Sequence, residues 1–157
     1  MDALNELYSE LILEHYTKPR NYGDLPEPDL VEEGYNQSCG DRIVLLLQIR
    51  DGRIQELRFR GYGCAISIAS ASLMSQHVKG RSLEEVQQLI EAFKAFVTGK
   101  QADLPPALGE LRLLRGVGRF PMRVKCATLA WNTLKQALEH PEPPRALPDE
   151  PPRGPVC

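Results

Sequence analysis

Three cysteines and one aspartate stand among turn-forming or basic neighbours, and these residue types could bind a metal or carry reactive sulfur. A single glycine separates Cys39 from Asp41, Cys64 follows Gly61-Tyr62-Gly63, and Cys126 stands beside basic residues. Three thiolates and one carboxylate make four ligands, the number that a tetrahedral metal site requires. A cysteine used only for packing behaves as a small hydrophobic residue and has no need of a neighbouring acid. The pattern therefore predicts a metal, a cluster or a reactive sulfur.

Composition limits the function classes. The 157 residues, of which 42% are hydrophobic and 25% charged, fit one globular domain with its own core. A net charge of -2 and a pI near 5.9 give no electrostatic basis for binding nucleic acid. A late cluster of basic residues indicates only a local patch: Arg112, Arg115, Arg119, Arg123 and Lys125.

The sequence also predicts a compartment. It has no apolar run as long as a membrane span, and its N-terminus lacks the charged-then-apolar order of a signal peptide. We therefore expect no membrane association and a cytoplasmic protein, in which thiols stay reduced. Disulfide pairing of the four cysteines is disfavoured there, and metal binding or sulfur chemistry is favoured.

The elements that position these residues begin with a small antiparallel sheet. Alternating apolar residues predict strands over 43–49 and 54–60, joined by a two-residue turn at Asp51-Gly52, and 30–36 supplies a third strand. Because a hairpin brings the outer ends of its strands together, Cys39 and Asp41 can lie beside Cys64.

Helices account for most of the remaining chain. Helical spacing predicts them over residues 2–16, 65–78, 86–97 and 107–115, and from Phe120 onward. Cys64 falls at a helix N-terminus, where the helix dipole favours a thiolate. Cys126 lies near the start of the last helix and must fold back to reach the others. The proline-rich tail over 141–157 is expected to be extended or disordered.

Structural roles compete with functional ones at several positions. Taken alone, Cys126 is as well explained by core packing, and Asp41 by a turn cap. The histidines His15, His77 and His140 are expected at the surface or in packing, since none has a cysteine at ligand-pair spacing. Cys157 is predicted to be a free thiol outside the site.

Several motifs together resemble a known family, the IscU/SufU iron–sulfur cluster assembly scaffolds, which share the NifU-like N-terminal domain. The resemblance runs from the first helix to about Leu138. It rests on residues 13–23 (LEHYTKPRNYG), Cys39-Gly40-Asp41, Gly63-Cys64-Ala65-Ile66-Ser67 and residues 69–72 (ASAS). It implies an α+β fold in which several helices pack on a three-stranded antiparallel sheet with the metal site at one end. It implies a domain over 1–140, followed by the tail 141–157.

The same resemblance implies the ligand set Cys39, Asp41, Cys64 and Cys126. Two departures from IscU-type members favour the SufU type: Lys125 stands where they have histidine, and residues 99–118 look like an insertion. SufU-type members are associated with bound zinc and with accepting sulfur from a SufS-type cysteine desulfurase. We therefore expect Zn²⁺, with Cys39 as sulfur acceptor. Arg123 and Lys125 could stabilise its thiolate or persulfide, and a solvated basic face explains them equally well.

The alternative is a scaffold on which a labile [2Fe–2S] cluster forms from iron and sulfide on the same ligands, before transfer to downstream assembly proteins or apo-proteins. Whether the chain is an enzyme stays open, because as a sulfurtransferase it would act only together with a desulfurase. A purely structural zinc domain is disfavoured, since the ligands lack paired C-x-x-C spacing and the core is large enough to fold without metal. A cysteine hydrolase is disfavoured because no histidine is placed to serve as its base.

Overall fold

The computed structural model describes residues 9–140, which form an α+β domain. This part of the chain contains three strands, four α-helices and one 3₁₀ segment. In chain order these are α1 (Glu10–Thr17), β1 (Leu30–Asn36), β2 (Asp41–Arg50), β3 (Arg53–Tyr62), α2 (Ala65–Val78), α3 (Leu83–Val97), the 3₁₀ segment (Pro106–Arg119) and α4 (Pro121–Glu139). The predicted fold class is confirmed. The predicted tail over 141–157 and its Cys157 lie outside the described residues, and the domain boundary at 140 stays a prediction.

The sheet is antiparallel with the order β1-β2-β3. Asp51 and Gly52 join β2 to β3 with φ angles of 55° and 71°, the left-handed pair that a tight hairpin turn requires. Each strand of this hairpin extends two residues beyond its predicted outer end. As a result Asp41 opens β2 and only Gly63 separates Cys64 from the end of β3, so both lie at the same end of the sheet.

The central strand is covered on both faces. Ile43, Leu45 and Leu47 face the helices and belong to the main core. Val44 and Leu46 point the other way and pack with Leu25 and Val31 in a smaller cluster. Burial on both sides explains why β2 reads as a nearly continuous apolar run.

The helical layer rests on α2 and α4. Small side chains let these helices approach closely, and buried Ser70 links them: its hydroxyl donates to the Ala127 carbonyl at 2.7 Å and accepts from Trp131 Nε1 at 3.0 Å. Trp131 also stacks on Phe93 of α3 with ring centroids 4.4 Å apart. This packing fixes α4 against the sheet, with Cys126 in its second turn.

Two predicted helices differ in the structure. Residue 9 interrupts the helix expected over 2–16: Ser9 is extended and its hydroxyl accepts from Ile12 N at 3.4 Å, so α1 begins at Glu10 as a capped helix. Residues 1–8 lie outside the described part. The helix expected over 107–115 is instead a 3₁₀ segment from Pro106 to Arg119, with a kink at Leu108. Its buried residues recur every three positions, which suits 3₁₀ geometry: Leu108, Leu111, Leu114 and Val117.

Candidate metal centre

A short turn places the first two candidate ligands. Residues 37–40 connect β1 to β2, whose end residues Asn36 and Asp41 are register partners. Gly40 has a φ of 70°, a left-handed conformation that lets the chain reverse immediately after Cys39. Gln37 is exposed, yet Cys39 is only 2% exposed. The turn therefore lies at the surface with its sulfur directed inward.

Asp41 is fully buried, and both of its carboxylate oxygens accept hydrogen bonds. Oδ2 accepts from Asn36 Nδ2 at 3.0 Å, and Oδ1 accepts from the backbone N of Cys64 at 2.9 Å. A buried carboxylate without such donors would carry a large desolvation cost. These two bonds join the start of β2 to the N-terminus of α2.

Cys64 and Cys126 form a coupled pair of buried thiols. A hydrogen bond from Cys126 lowers the pKa of Cys64 to about 7, and the N–H groups of Ser67 and Ile66 at the start of α2 lower it further. The pKa of Cys126 is raised, first by this hydrogen bond to Cys64, then by burial and by Asp41. The opposite shifts identify the Cys126 thiol as the hydrogen-bond donor and the Cys64 sulfur as the acceptor of this pair.

Three of the four predicted ligands come together as a group. The ligand atoms of Cys39, Asp41 and Cys126 all lie within 4.8 Å of one another, and all three residues are buried. Cys64 is outside this group, although its sulfur is hydrogen-bonded to Cys126. Cys39 is disulfide-bonded in the structure, so it must be reduced before its sulfur can bind a metal or accept sulfur.

The donor set fits zinc. Zn–S bonds of about 2.3 Å place tetrahedral ligands roughly 4 Å apart, close to the observed spacing. Thiolate and carboxylate are both ordinary zinc ligands. Cys39, Asp41 and Cys126 would hold the ion, and Cys64, hydrogen-bonded to Cys126, is the candidate fourth ligand.

Gly63 permits the close approach of the Cys64 loop to Asp41. A Cβ atom at residue 63 would lie 2.4 Å from Asp41 Oδ1, and the φ of Gly63 is +157°, which L residues rarely adopt. Tyr22 holds Gly61, two residues before Gly63: its hydroxyl donates to the Gly61 carbonyl at 2.9 Å and accepts from Gly61 N at 3.2 Å. Both contacts position the segment that carries Cys64.

The other candidate residues are not members of this group. Arg123 is half-buried and Lys125 exposed in the first turns of α4, so their role beside the sulfurs stays a prediction. Buried His15 shares a hydrogen bond of 2.7 Å with Ser72 Oγ. Among the described residues no histidine joins the metal-ligand group.

Comparison with known proteins decides the family. The family model described as the NifU-like N terminal domain matches residues 7–127. This chain belongs to that family. Family membership places it among the iron–sulfur cluster assembly scaffolds, as the motifs predicted, and implies interaction with a sulfur donor and with downstream proteins.

Individual relatives agree with this assignment. The zinc-dependent sulfurtransferase SufU of Bacillus subtilis is 39% identical over 135 residues, which cover 86% of this chain and 91% of that protein. The iron–sulfur cluster assembly scaffold protein IscU of Streptococcus pyogenes is 40% identical over 139 residues, covering 88% and 87%. The crystal structure of a proposed scaffold protein for the SUF system of Fervidobacterium islandicum AW-1 superposes with a TM-score of 0.78 at 35% identity, covering 84% and 96%.

Within residues 9–140 every helix is too short or too polar to cross a membrane. The cytoplasmic location stays a prediction.

Sequence reasoning missed three residues that shape the centre: Asn36, Gly63 and Tyr22. The signal for Asn36 was available, because a polar residue that ends one strand and pairs with the first residue of the next must point to the same face as that residue. Gly63 and Tyr22 act through contacts between distant segments, which no local pattern encodes.

Proposed function

We propose that this protein is a zinc-bound sulfur acceptor in iron–sulfur cluster assembly, and that Cys39 takes persulfide sulfur from a SufS-type cysteine desulfurase. The buried grouping of Cys39, Asp41 and Cys126 within 4.8 Å is the observation that carries this proposal. The B. subtilis relative, named a zinc-dependent sulfurtransferase, supports the same reading. Bound zinc would keep the thiols deprotonated without taking part in redox chemistry.

Backbone context favours Cys39 over the other two cysteines as acceptor. Cys64 caps α2 and Cys126 lies within α4, so moving either sulfur disturbs a packed helix. Cys39 lies in the four-residue turn 37–40 beside exposed Gln37 and Ser38. A turn at the surface reorganises at lower cost than a buried helix, and loops commonly carry mobile functional residues.

The transfer is a thiol exchange at sulfur. The Sγ thiolate of Cys39 attacks the outer sulfur of the desulfurase persulfide, a new S–S bond forms at Cys39, and the old S–S bond breaks. The desulfurase cysteine leaves as a thiolate, so no outside oxidant or reductant is needed. Arg123 and Lys125, which precede Cys126 in α4, are the basic residues that we propose stabilise the persulfide anion.

Two measurements on the reduced full-length protein test this proposal. Metal analysis should find about one zinc per chain, and the protein should stimulate turnover by a cysteine desulfurase. Cys39→Ala should abolish the stimulation, whereas Ser38→Ala, in the same turn, should retain it. Equal stimulation by the Cys39→Ala variant and the wild type would contradict the acceptor role.

A second function is favoured by the naming of the S. pyogenes relative as a scaffold protein. In that role the same four residues bind a [2Fe–2S] cluster as cargo, and the carboxylate of Asp41 keeps it labile, since thiolates hold iron more firmly. Anaerobic addition of iron and sulfide should then produce visible absorption bands that weaken in Cys64→Ala. If zinc stays bound and no bands form, the scaffold role is contradicted.

A further inference from the structure

Asn36 connects two candidate ligands that lie on different elements. Its Nδ2 donates to Asp41 Oδ2 at 3.0 Å and to Cys126 Sγ at 3.7 Å. Asn36 is 8% exposed, so water has little access to replace these bonds. An amide nitrogen carries two N–H groups, and both are used here by one carboxylate and one sulfur.

We propose that Asn36 is a positioning residue that tunes the metal affinity and the electronic character of the centre through its hydrogen bonds to Asp41 and Cys126. This inference rests on the proposed zinc site. It assigns to Asn36 the role that outer hydrogen-bond donors have at metal centres, where they orient the ligands and adjust their basicity.

The contacts show why the amide would matter. Asp41 is held from both sides, by Asn36 at one oxygen and by the Cys64 backbone at the other. Asn36 therefore connects the end of β1 to the start of β2 and, through Cys126, to α4. Removing the amide leaves the buried Oδ2 of Asp41 without this donor. The side chains of Asp41 and Cys126 then gain freedom to move away from the metal. A donor on Cys126 also withdraws electron density from its sulfur, which affects the metal–sulfur bond directly.

Two variants and one matched control test this role. Asn36→Leu keeps the size of the side chain and removes every donor and acceptor, and Asn36→Ala removes the side chain. Gln37→Ala is the control, because Gln37 is the exposed neighbour in the same turn. Zinc affinity is measured by competition with a chelator, and the electronic effect by the sulfur-to-cobalt charge-transfer band of Co²⁺-substituted protein.

We expect both Asn36 variants to bind zinc roughly 10–100-fold more weakly, the usual effect of losing an outer partner. Their charge-transfer band should shift, while Gln37→Ala should match the wild type in both measurements. Wild-type affinity and an unshifted band in both variants would overturn the inference. So would a lower unfolding free energy with affinity and band unchanged, which is the result of a merely structural role.

The outcome for the wild type separates this inference from the proposed function. If the reduced wild-type protein binds neither zinc nor cobalt, the zinc-bound function itself fails, and the role of Asn36 fails with it. If the wild type binds both metals and the Asn36 variants bind them equally well, only the role of Asn36 fails.

Discussion

The close approach of Gly63 to Asp41 makes Gly63→Ala a sharp test of the site geometry. The added Cβ would lie 2.4 Å from Asp41 Oδ1 and 2.9 Å from its Cγ. Contacts this short force the carboxylate or the loop to move. The first bond at risk is the one between Asp41 Oδ1 and the Cys64 backbone N, now 2.9 Å long.

Gly80→Ala provides a matched control. Gly80 also has a positive φ, +87°, but a Cβ there would meet nothing within 4 Å. Both variants incur backbone strain of about 1–3 kcal/mol. Only Gly63→Ala also endangers a hydrogen bond to a charged group, worth about 1.5–3 kcal/mol. The expected losses in unfolding free energy are therefore about 1–3 kcal/mol for Gly80→Ala and about 2.5–6 kcal/mol for Gly63→Ala.

Urea denaturation of the reduced, metal-free protein measures these losses. Because small domains are stable by only about 5–15 kcal/mol, the difference between the two variants should be easily resolved. Zinc competition adds a second readout: Gly63→Ala should bind zinc at least tenfold more weakly, and Gly80→Ala should bind it like the wild type. If the two variants are equally stable and bind zinc equally, Gly63 has no special relation to Asp41 and the described geometry is wrong.

Two further predictions concern residues outside the ligand group. Burial is the main cause that lowers the pKa of His15, so the unfolded chain takes up the proton first and unfolding free energy should fall as pH drops below about 6.5. Urea titrations at several pH values should show that His15→Gln reduces this dependence, whereas exposed His140→Gln leaves it; equal slopes for both variants would refute the assignment. Tyr22→Phe removes both hydrogen bonds to Gly61 and should cost about 1–3 kcal/mol in urea denaturation. No loss of stability in Tyr22→Phe would show that the hydroxyl does not hold the loop.

Local patterns were enough to predict most of the fold. The alternation of apolar residues and the Asp51-Gly52 turn located β2 and β3, and the helix over Ala65–Val78 was predicted with its observed bounds. Prediction failed where a helix cap or a second repeat competed with the helical spacing of apolar residues. Ser9 capped a helix that periodicity alone would have continued, and the buried leucines of the 3₁₀ segment satisfy a three-residue repeat as well as a helical one.

The candidate site was predictable in its residues and less so in its arrangement. Hairpin geometry predicted Asp41 beside Cys64, where the Cys64 backbone N donates to Asp41 Oδ1, because antiparallel pairing fixes which strand ends meet. The position of Cys126 depends on how α4 packs against the sheet, a long-range result that spacing cannot encode. The hydrogen bond from Asn36 to Cys126 depends on the same packing, and so does the hydrogen bond between Cys126 and Cys64.

Mapping the transferred sulfur tests the central claim most directly. Trypsin would separate the cysteines into different peptides, with Cys39 in residues 21–42, Cys64 in 61–79 and Cys126 in 126–135. The reduced, zinc-loaded protein is incubated with a cysteine desulfurase and cysteine, its thiols and persulfides are alkylated, and the peptides are analysed by mass spectrometry. The proposed function predicts one added sulfur atom on the peptide 21–42. Added sulfur on either of the other two peptides, with none on 21–42, would contradict it.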